Sequence, residues 1–175
     1  MSPRTVCLGW HWLPYRYSRT ADDVNGAAVA RFPNSLGDLG RRAVAAAYGD
    51  GAVSYEPHVA LINFYEHEAH LGMRQDKDER ANDPIVSLSI GDDCIFRFGN
   101  TDNRGRPYTD ITLRSGDLFA FGGPSRFAYH GVPRVLPNSA PRGGRHHTWL
   151  AQLNASRHRA VLAPHKPRAA AVFTI

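Results

Sequence analysis

The sequence contains no run of about 18 apolar residues, so it offers no helix that could cross a membrane. Its first residues, "MSPRTVCLGWHW", lack the apolar stretch of a secretory signal. Cysteine is scarce: only Cys7 and Cys94 occur, which is no disulfide framework and fits the reducing cytoplasm. No internal repeat is present. These absences leave a cytoplasmic globular chain as the expectation. The 175 residues are enough for one domain with a real core and short for two. Apolar residues make up 42% and charged residues 21%, a folded composition. The formal net charge of +5 favours polyanionic partners such as nucleic acid.

One helix is expected, over residues 35–48. Leu36, Leu39, Ala43, Val44 and Ala47 fall at helical spacing. Ser35 is placed to cap it, Asp38 to face its N-terminal dipole, and Gly49 to end it. Before it, "GWHWLPYRYSRT" gathers Trp10, Trp12, Tyr15 and Tyr17, with Pro14 excluding a helix. Such a stretch is either ordinary strand packing or a platform on which flat rings stack. From residue 57 the apolar period becomes two. "HVALINFYE" puts Val59, Leu61, Asn63 and Tyr65 on one face, and "PIVSLSIG" sets Val86, Leu88 and Ile90 opposite Ser87 and Ser89. Strands are expected over 57–66, 84–90, 94–99, 108–114, 117–122 and 126–135. Short strands with Gly, Asn and Asp turns argue for a mostly β jelly roll, one sheet covered by the helix. Beyond residue 137 the periodicity fails, and residues 160–175 read as a disordered basic tail.

Two features on this scaffold bear on chemistry. Asp76 lies in the acidic turn "RQDKDE", and His130 lies in "AYHGV". A carboxylate and an imidazole meeting inside a jelly roll would suit iron(II), copper or zinc. Taken singly, each has an ordinary reading: a solvated turn, a packed histidine.

The segments "LINFYE", "RQDKDE", "PIVSLSIG", "FRFG" and "GDLFAFGGPSRFAYHGV", in this order, resemble the AlkB family over roughly residues 1–137. Those proteins are iron(II)- and 2-oxoglutarate-dependent dioxygenases that repair alkylated nucleic-acid bases. The resemblance implies a double-stranded β-helix and a domain over 1–159 lacking the usual N-terminal substrate lid. It implies Fe(II) as cofactor, 2-oxoglutarate as co-substrate, and alkylated, single-stranded DNA or RNA as the partner of a monomer. Residue by residue, it implies Asp76 and His130 as metal ligands and catalytic centre. Asn63 and Tyr65 then meet 2-oxoglutarate. Trp10, Tyr15 and Asp78 meet the substrate base, which such enzymes take out of its stack. Basic residues such as Arg104 and Arg106 would hold the strand.

Two departures stand against the pattern. The family's His-x-Asp reads Arg74-Gln75-Asp76 here. A guanidinium stays protonated and has no lone pair to give a metal. His67 and His70 are near enough in sequence to be considered as substitutes. The family's Arg-x-Asn-x-Thr-x-Arg strand, which grips 2-oxoglutarate carboxylates, has no clean match; Arg145 falls near the right distance and Arg157 lies in an echo of the pattern. Oxidative dealkylation impaired at Arg74 is one reading. A non-catalytic jelly-roll module that binds single-stranded nucleic acid is the alternative. A decayed relative and a shifted reading frame beyond about residue 145 stay open as explanations.

Overall fold

The computed structural model describes residues 2–14, 16–49, 55–66, 68–78 and 82–141, and the backbone of 170–174. Strands β1 (Arg4–Leu8), β2 (His11–Leu13) and β3 (Arg16–Ser18) precede helix α1 (Asn34–Tyr48). After it come β4 (Ala60–Tyr65), β5 (Leu71–Arg74), β6 (Ile85–Ile90), β7 (Cys94–Gly99), β8 (Tyr108–Leu113), β9 (Leu118–Phe121), β10 (His130–Val135) and β11 (Ala170–Thr174). They assemble into a five-stranded sheet, β1-β4-β11-β6-β9, and a four-stranded sheet, β5-β10-β7-β8; β2 and β3 form a separate hairpin. The fold is mostly β, as expected, and takes the form of a jelly roll.

Alternation decides what each face of the larger sheet does. Leu36 and Val44 of α1 pack with Ala60, Val86 and Tyr55, so the helix covers that sheet's outer face. Tyr65 joins the other cluster, with Phe96, Leu113 and Val132 of the smaller sheet. Both faces of β4 and β6 are therefore buried. Ser87 and Ser89 follow the expected alternation, yet they are 2% and 1% exposed. The polar side of β6 is the barrel interior, and its apolar side lies towards the helix.

Several boundaries shift. Pro33, not Ser35, sits at the helix N-cap, and Asp38 falls outside the first turn. The carbonyl of Pro33 accepts from Leu36 and Gly37. Ser35 therefore lies inside the helix, where its hydroxyl is not placed to cap. Gly49 ends the helix as expected: its φ is +83°, and its N–H donates to the Ala45 carbonyl at 2.8 Å. Residues 126–127 are turn and 128–129 irregular, and β10 begins only at His130. The short β5 was not expected; its four residues show too little alternation to declare a strand.

The disordered tail expected over 160–175 is corrected at its end. Residues 170–174 form β11, antiparallel to both β4 and β6. Without a strand there, two rows of backbone groups would face an empty slot inside the sheet. The segment "AAVFT", short and apolar, suits such a central position. The larger sheet thus includes 170–174, while 160–169 lies outside the described residues.

Gly131 brings the smaller sheet together at the critical place. A Cβ there would meet the Leu71 carbonyl oxygen at 2.6 Å and the Gly72 carbonyl oxygen at 2.9 Å. Only glycine lets β10 approach β5 so closely beside His130.

Candidate functional site

His130 is the first residue of β10, and its ladder partner on β5 is Arg74. Asp76 follows two residues later, in the turn that leaves β5. One pairing therefore gathers all three. His130 Nε2 lies 3.4 Å from Asp76 Oδ2, and Arg74 Nε lies 3.6 Å from Asp76 Oδ1. Asp76 and His130 are 8% and 5% exposed, so both meet in a nearly dry place. The expected convergence of Asp76 and His130 is thus present in the geometry.

The surroundings fix both groups. The His130 ring lies between Phe96 and Phe121, with centroids 5.9 and 5.1 Å away. Its Nδ1 sits 3.0 Å from the Ala128 carbonyl oxygen, an acceptor. Nδ1 therefore donates to that carbonyl, and Nε2 is the ring nitrogen turned to the carboxylate. Arg126 is 3% exposed and donates from Nη1 to the Asp76 backbone carbonyl at 2.7 Å. Gln75 Nε2 donates to the carbonyls of Thr101 at 3.0 Å and Phe127 at 2.7 Å. Together Arg126 and Gln75 pin the turn that carries Asp76. Burial pushes the Asp76 carboxyl up, but His130, Arg74 and Arg126 outweigh it and hold the carboxyl below its usual value.

Asn63 and Tyr65 approach from the larger sheet, 2% and 1% exposed, and line one cavity with His130, Arg74 and Ser87. Asn63 Oδ1 accepts from the Thr5 hydroxyl at 2.8 Å. The Tyr65 hydroxyl and the Ser87 hydroxyl are buried without a hydrogen-bond partner, as are Arg74 Nε and Asp76 Oδ2. Burial raises the Tyr65 phenol well above its usual range, so it remains a donor.

At the rim, Trp12 Nε1 donates to Asp78 Oδ2 at 3.1 Å. Asp78 is thus joined to Trp12 rather than to Trp10. Trp10 is half-buried, with the Arg19 guanidinium 3.6 Å above its ring. Arg104 is exposed, in the loop between β7 and β8; Arg106, in the same loop, lies over Tyr108. Neither touches the Asp76–His130 centre. His70 is exposed and does not join it either, and among the described residues no three His, Cys, Asp or Glu side chains stand together. Tyr15, His67, Arg145 and Arg157 lie outside the described residues.

Reading the sequence missed Arg126, Gln75 and Ser87. Arg126 carried a visible signal: a lone arginine inside the apolar stretch "GGPSRFAYH", four residues before His130. A buried charge at such a place must hold something. Ser87 carried none, because alternation does not say which face is the inside. Gln75 carried only its place in the turn.

A family profile described as the 2OG-Fe(II) oxygenase superfamily matches residues 1–162. The chain is 33% identical over 158 residues to the DNA N(6)-methyladenine demethylase ALKBH1C of Arabidopsis thaliana, covering 79% of this chain and 34% of that protein. It is 41% identical over 130 residues to the alpha-ketoglutarate-dependent dioxygenase AlkB of Escherichia coli strain K12, covering 71% of this chain and 57% of that protein. The chain therefore spans between about a third and three fifths of the length of these two relatives. Among solved structures, that of OsALKBH1 superposes with a TM-score of 0.74 at 28% identity, covering 99% of this chain and 78% of that one.

Proposed function

The chain belongs to the 2OG-Fe(II) oxygenase superfamily, and from that premise we propose that it is an AlkB-type domain acting on alkylated bases of single-stranded DNA or RNA. The activity that goes with this scaffold is oxidative dealkylation with Fe(II), 2-oxoglutarate and O2. In this chain we read that step as impaired. The observation that carries the reading is the meeting of Asp76 and His130, the latter lining one cavity with Asn63 and Tyr65. Its relatives' names support it: one is a DNA demethylase and another a dioxygenase.

The residues present do not fit iron(II). A facial triad needs two histidines and one carboxylate on one side of the metal. Asp76 Oδ2 and His130 Nε2 supply two of those positions. The ladder position opposite His130 holds Arg74, which has no lone pair and adds a positive charge beside the metal's place. No step is therefore assigned to iron here. The same observation favours the second reading, a non-catalytic jelly-roll module that binds single-stranded nucleic acid.

In either case the rim residues meet the strand. Trp12 and Asp78 offer an aromatic and acidic edge suited to a base held out of its stack, and Trp10 belongs to this proposal by resemblance. Arg104 and Arg106 offer exposed charge to phosphates. Tyr15 belongs to this proposal by resemblance alone, as Arg145 does for 2-oxoglutarate. Monomeric state and cytoplasmic location are part of the proposal, consistent with free thiols at Cys7 and Cys94.

The experiment measures anisotropy of a labelled single-stranded oligonucleotide carrying one N-methylated base, across a salt series. It then measures formaldehyde released with Fe(II), 2-oxoglutarate and stoichiometric protein. Tight, salt-weakened binding with little formaldehyde supports an impaired dealkylase. Iron-independent binding with no formaldehyde at all, even from Arg74→His, supports the module. Absence of binding to any strand overturns both.

A further inference from the structure

The two sheets present different outer faces. Helix α1 covers the larger sheet, whereas Asp110, Thr112 and Arg134 lie exposed on the outside of the smaller one. Register places them there. Phe96 and Phe98 of β7 pack inward, so Arg97 between them points outward, and its ladder partner is Asp110. Tyr108 pairs with Gly99 and Arg134 with Ile95, on the same face. Arg97 donates to both Asp110 oxygens, from Nε at 2.6 Å and from Nη2 at 2.7 Å. The guanidiniums of Arg97 and Arg106 lie 4.1 and 4.8 Å from the centre of the Tyr108 ring. Arg106 and Arg134 also act on the Asp110 carboxylate through space. Three guanidiniums thus surround one carboxylate, and Arg97 already takes both of its oxygens. The surplus charge is positive and is presented from a braced frame. Asn100 holds the loop that carries Arg106: its Oδ1 accepts from the Asp102 and Asn103 N–H groups at 2.8 and 2.9 Å, and its Nδ2 donates to the Gly105 and Pro107 carbonyls at 3.3 and 3.4 Å. The same loop reaches the turn that carries Asp76, where Gln75 donates to the Thr101 carbonyl at 3.0 Å.

We infer that the outer face of the smaller sheet is a docking track for the phosphates of a single nucleic-acid strand, held by Arg106, Arg97 and Arg134, outside the cavity and continuous with its rim through the 100–107 loop. The inference deepens the proposed function, which supplies the strand, by saying where the strand's flank runs. Charge complementarity selects the occupant. A second copy of the chain carries a net +5 and the same arginines, and residues 142–169 contain no Asp or Glu, so neither complements a basic face. A strand offers one phosphate charge per nucleotide, and guanidiniums match phosphate oxygens through paired N–H donors. Arginines already fixed by Asp110 and Tyr108 have less freedom to lose on binding than loose ones. Contacts to phosphate carry no sequence information, so the track fixes the position of the strand and leaves the choice of base to the rim.

The test is anisotropy of labelled single strands with the intact chain, across a salt series. One strand has about 5 nucleotides and the other about 15, each with one N-methylated base at its centre. Arg134→Gln should leave the short strand's affinity unchanged. It should weaken the long strand by about threefold and make its salt slope shallower by about 0.7, the value for one lost phosphate contact to a single strand. Arg106→Gln combined with Arg134→Gln should weaken the long strand by about tenfold and lower the slope by about 1.4. Arg42→Gln removes the same charge from the exposed side of α1 and should change neither strand. Polyglutamate of equal charge should displace the long strand at least about tenfold less readily than the unlabelled strand does. Melting curves of each variant establish that it is folded. The inference is overturned if Arg134→Gln binds the long strand like the parent, or if Arg42→Gln weakens it as much. It is also overturned if polyglutamate displaces the strand equally well, which would make the face a site for acidic peptides. Short-strand binding with no effect of Arg134→Gln on the long strand overturns this inference alone. Arg134-dependent binding of the long strand, without short-strand binding or any preference for the methylated base, overturns the proposed function alone.

Discussion

The two sheets contribute different chemistry to one cavity. The larger sheet supplies uncharged donors, Asn63 and Tyr65 from β4 and Ser87 from β6, on a face otherwise buried against the barrel interior. The smaller sheet and its turn supply the ionisable groups, Arg74, Asp76 and His130. The larger-sheet wall is thus polar but uncharged. The smaller-sheet wall brings a carboxylate, an imidazole and a guanidinium together. The lesson is that register, more than residue type, decides what meets at the site: His130 pairs with Arg74 and Gly131 closes the gap to β5, so the side chain delivered there is a cation.

The largest predicted effects separate the sheets by their packing. Phe96 is 3% exposed and stacks on His130. Phe96→Ala should cost about 3–5 kcal/mol in urea unfolding, through lost burial and the cavity left behind. Leu36→Ala, under the helix on the other side of the larger sheet, should cost about 2–5 kcal/mol. The difference lies at the site: only Phe96→Ala should shift the His130 ring resonances of the folded protein. Equal perturbation of His130 by both would break the division drawn between the sheets.

A smaller effect is predicted at the clamp. Arg126→Met keeps the length of the side chain and removes the donor to the Asp76 carbonyl. It should cost about 1.5–3 kcal/mol, the worth of a hydrogen bond from a charged group. Hydrogen exchange should quicken first in the turn after β5. Unchanged exchange there would remove Arg126 from the positioning role.

The acid limb of stability tests the charge balance of the smaller sheet. The folded-state pKa of Asp76 lies below its usual value of 3.8. The ionised carboxylate therefore stabilises the fold at any pH above that value, and the contribution is lost as pH falls through the lower, folded-state pKa. Asp76→Asn should be less stable than the parent at neutral pH, and the gap should narrow under acid. A constant gap from pH 7 to pH 2 would contradict it.

The smallest effect is at the rim. Trp12 is 37% exposed, and Trp12→Phe removes its hydrogen bond to Asp78 together with a part-exposed portion of the ring. Stability should fall by about 1 kcal/mol or less. Binding of a methylated strand should weaken, because the acidic edge loses its orientation.

Much of this was legible in the sequence, and the failures share a cause. Strict alternation announced β6 and β7, and helical spacing announced α1, because each buries a face over several residues. Asp76, His130, Asn63 and Tyr65 were found by resemblance, and they do converge. β5 has four residues and β11 stands far from the strands it joins, so neither shows a local period. Their existence is decided by ladders elsewhere in the sheet. Ser35 looked like a cap because its type is right, but Pro33 already occupied that place. Arg126 and Ser87 act through tertiary neighbours, Asp76 and the cavity, which no spacing along the chain reveals.

The central claim is that Arg74 alone keeps a metal from the Asp76–His130 pair. Anaerobic titration with iron(II) tests it on the parent chain and on Arg74→His, with Asp76→Ala added to the Arg74→His background as control. The account predicts weak or absent binding by the parent, clear binding by Arg74→His, and its loss in the double variant. Equal, tight binding by the parent and Arg74→His would contradict it, since another ligand would then complete the site.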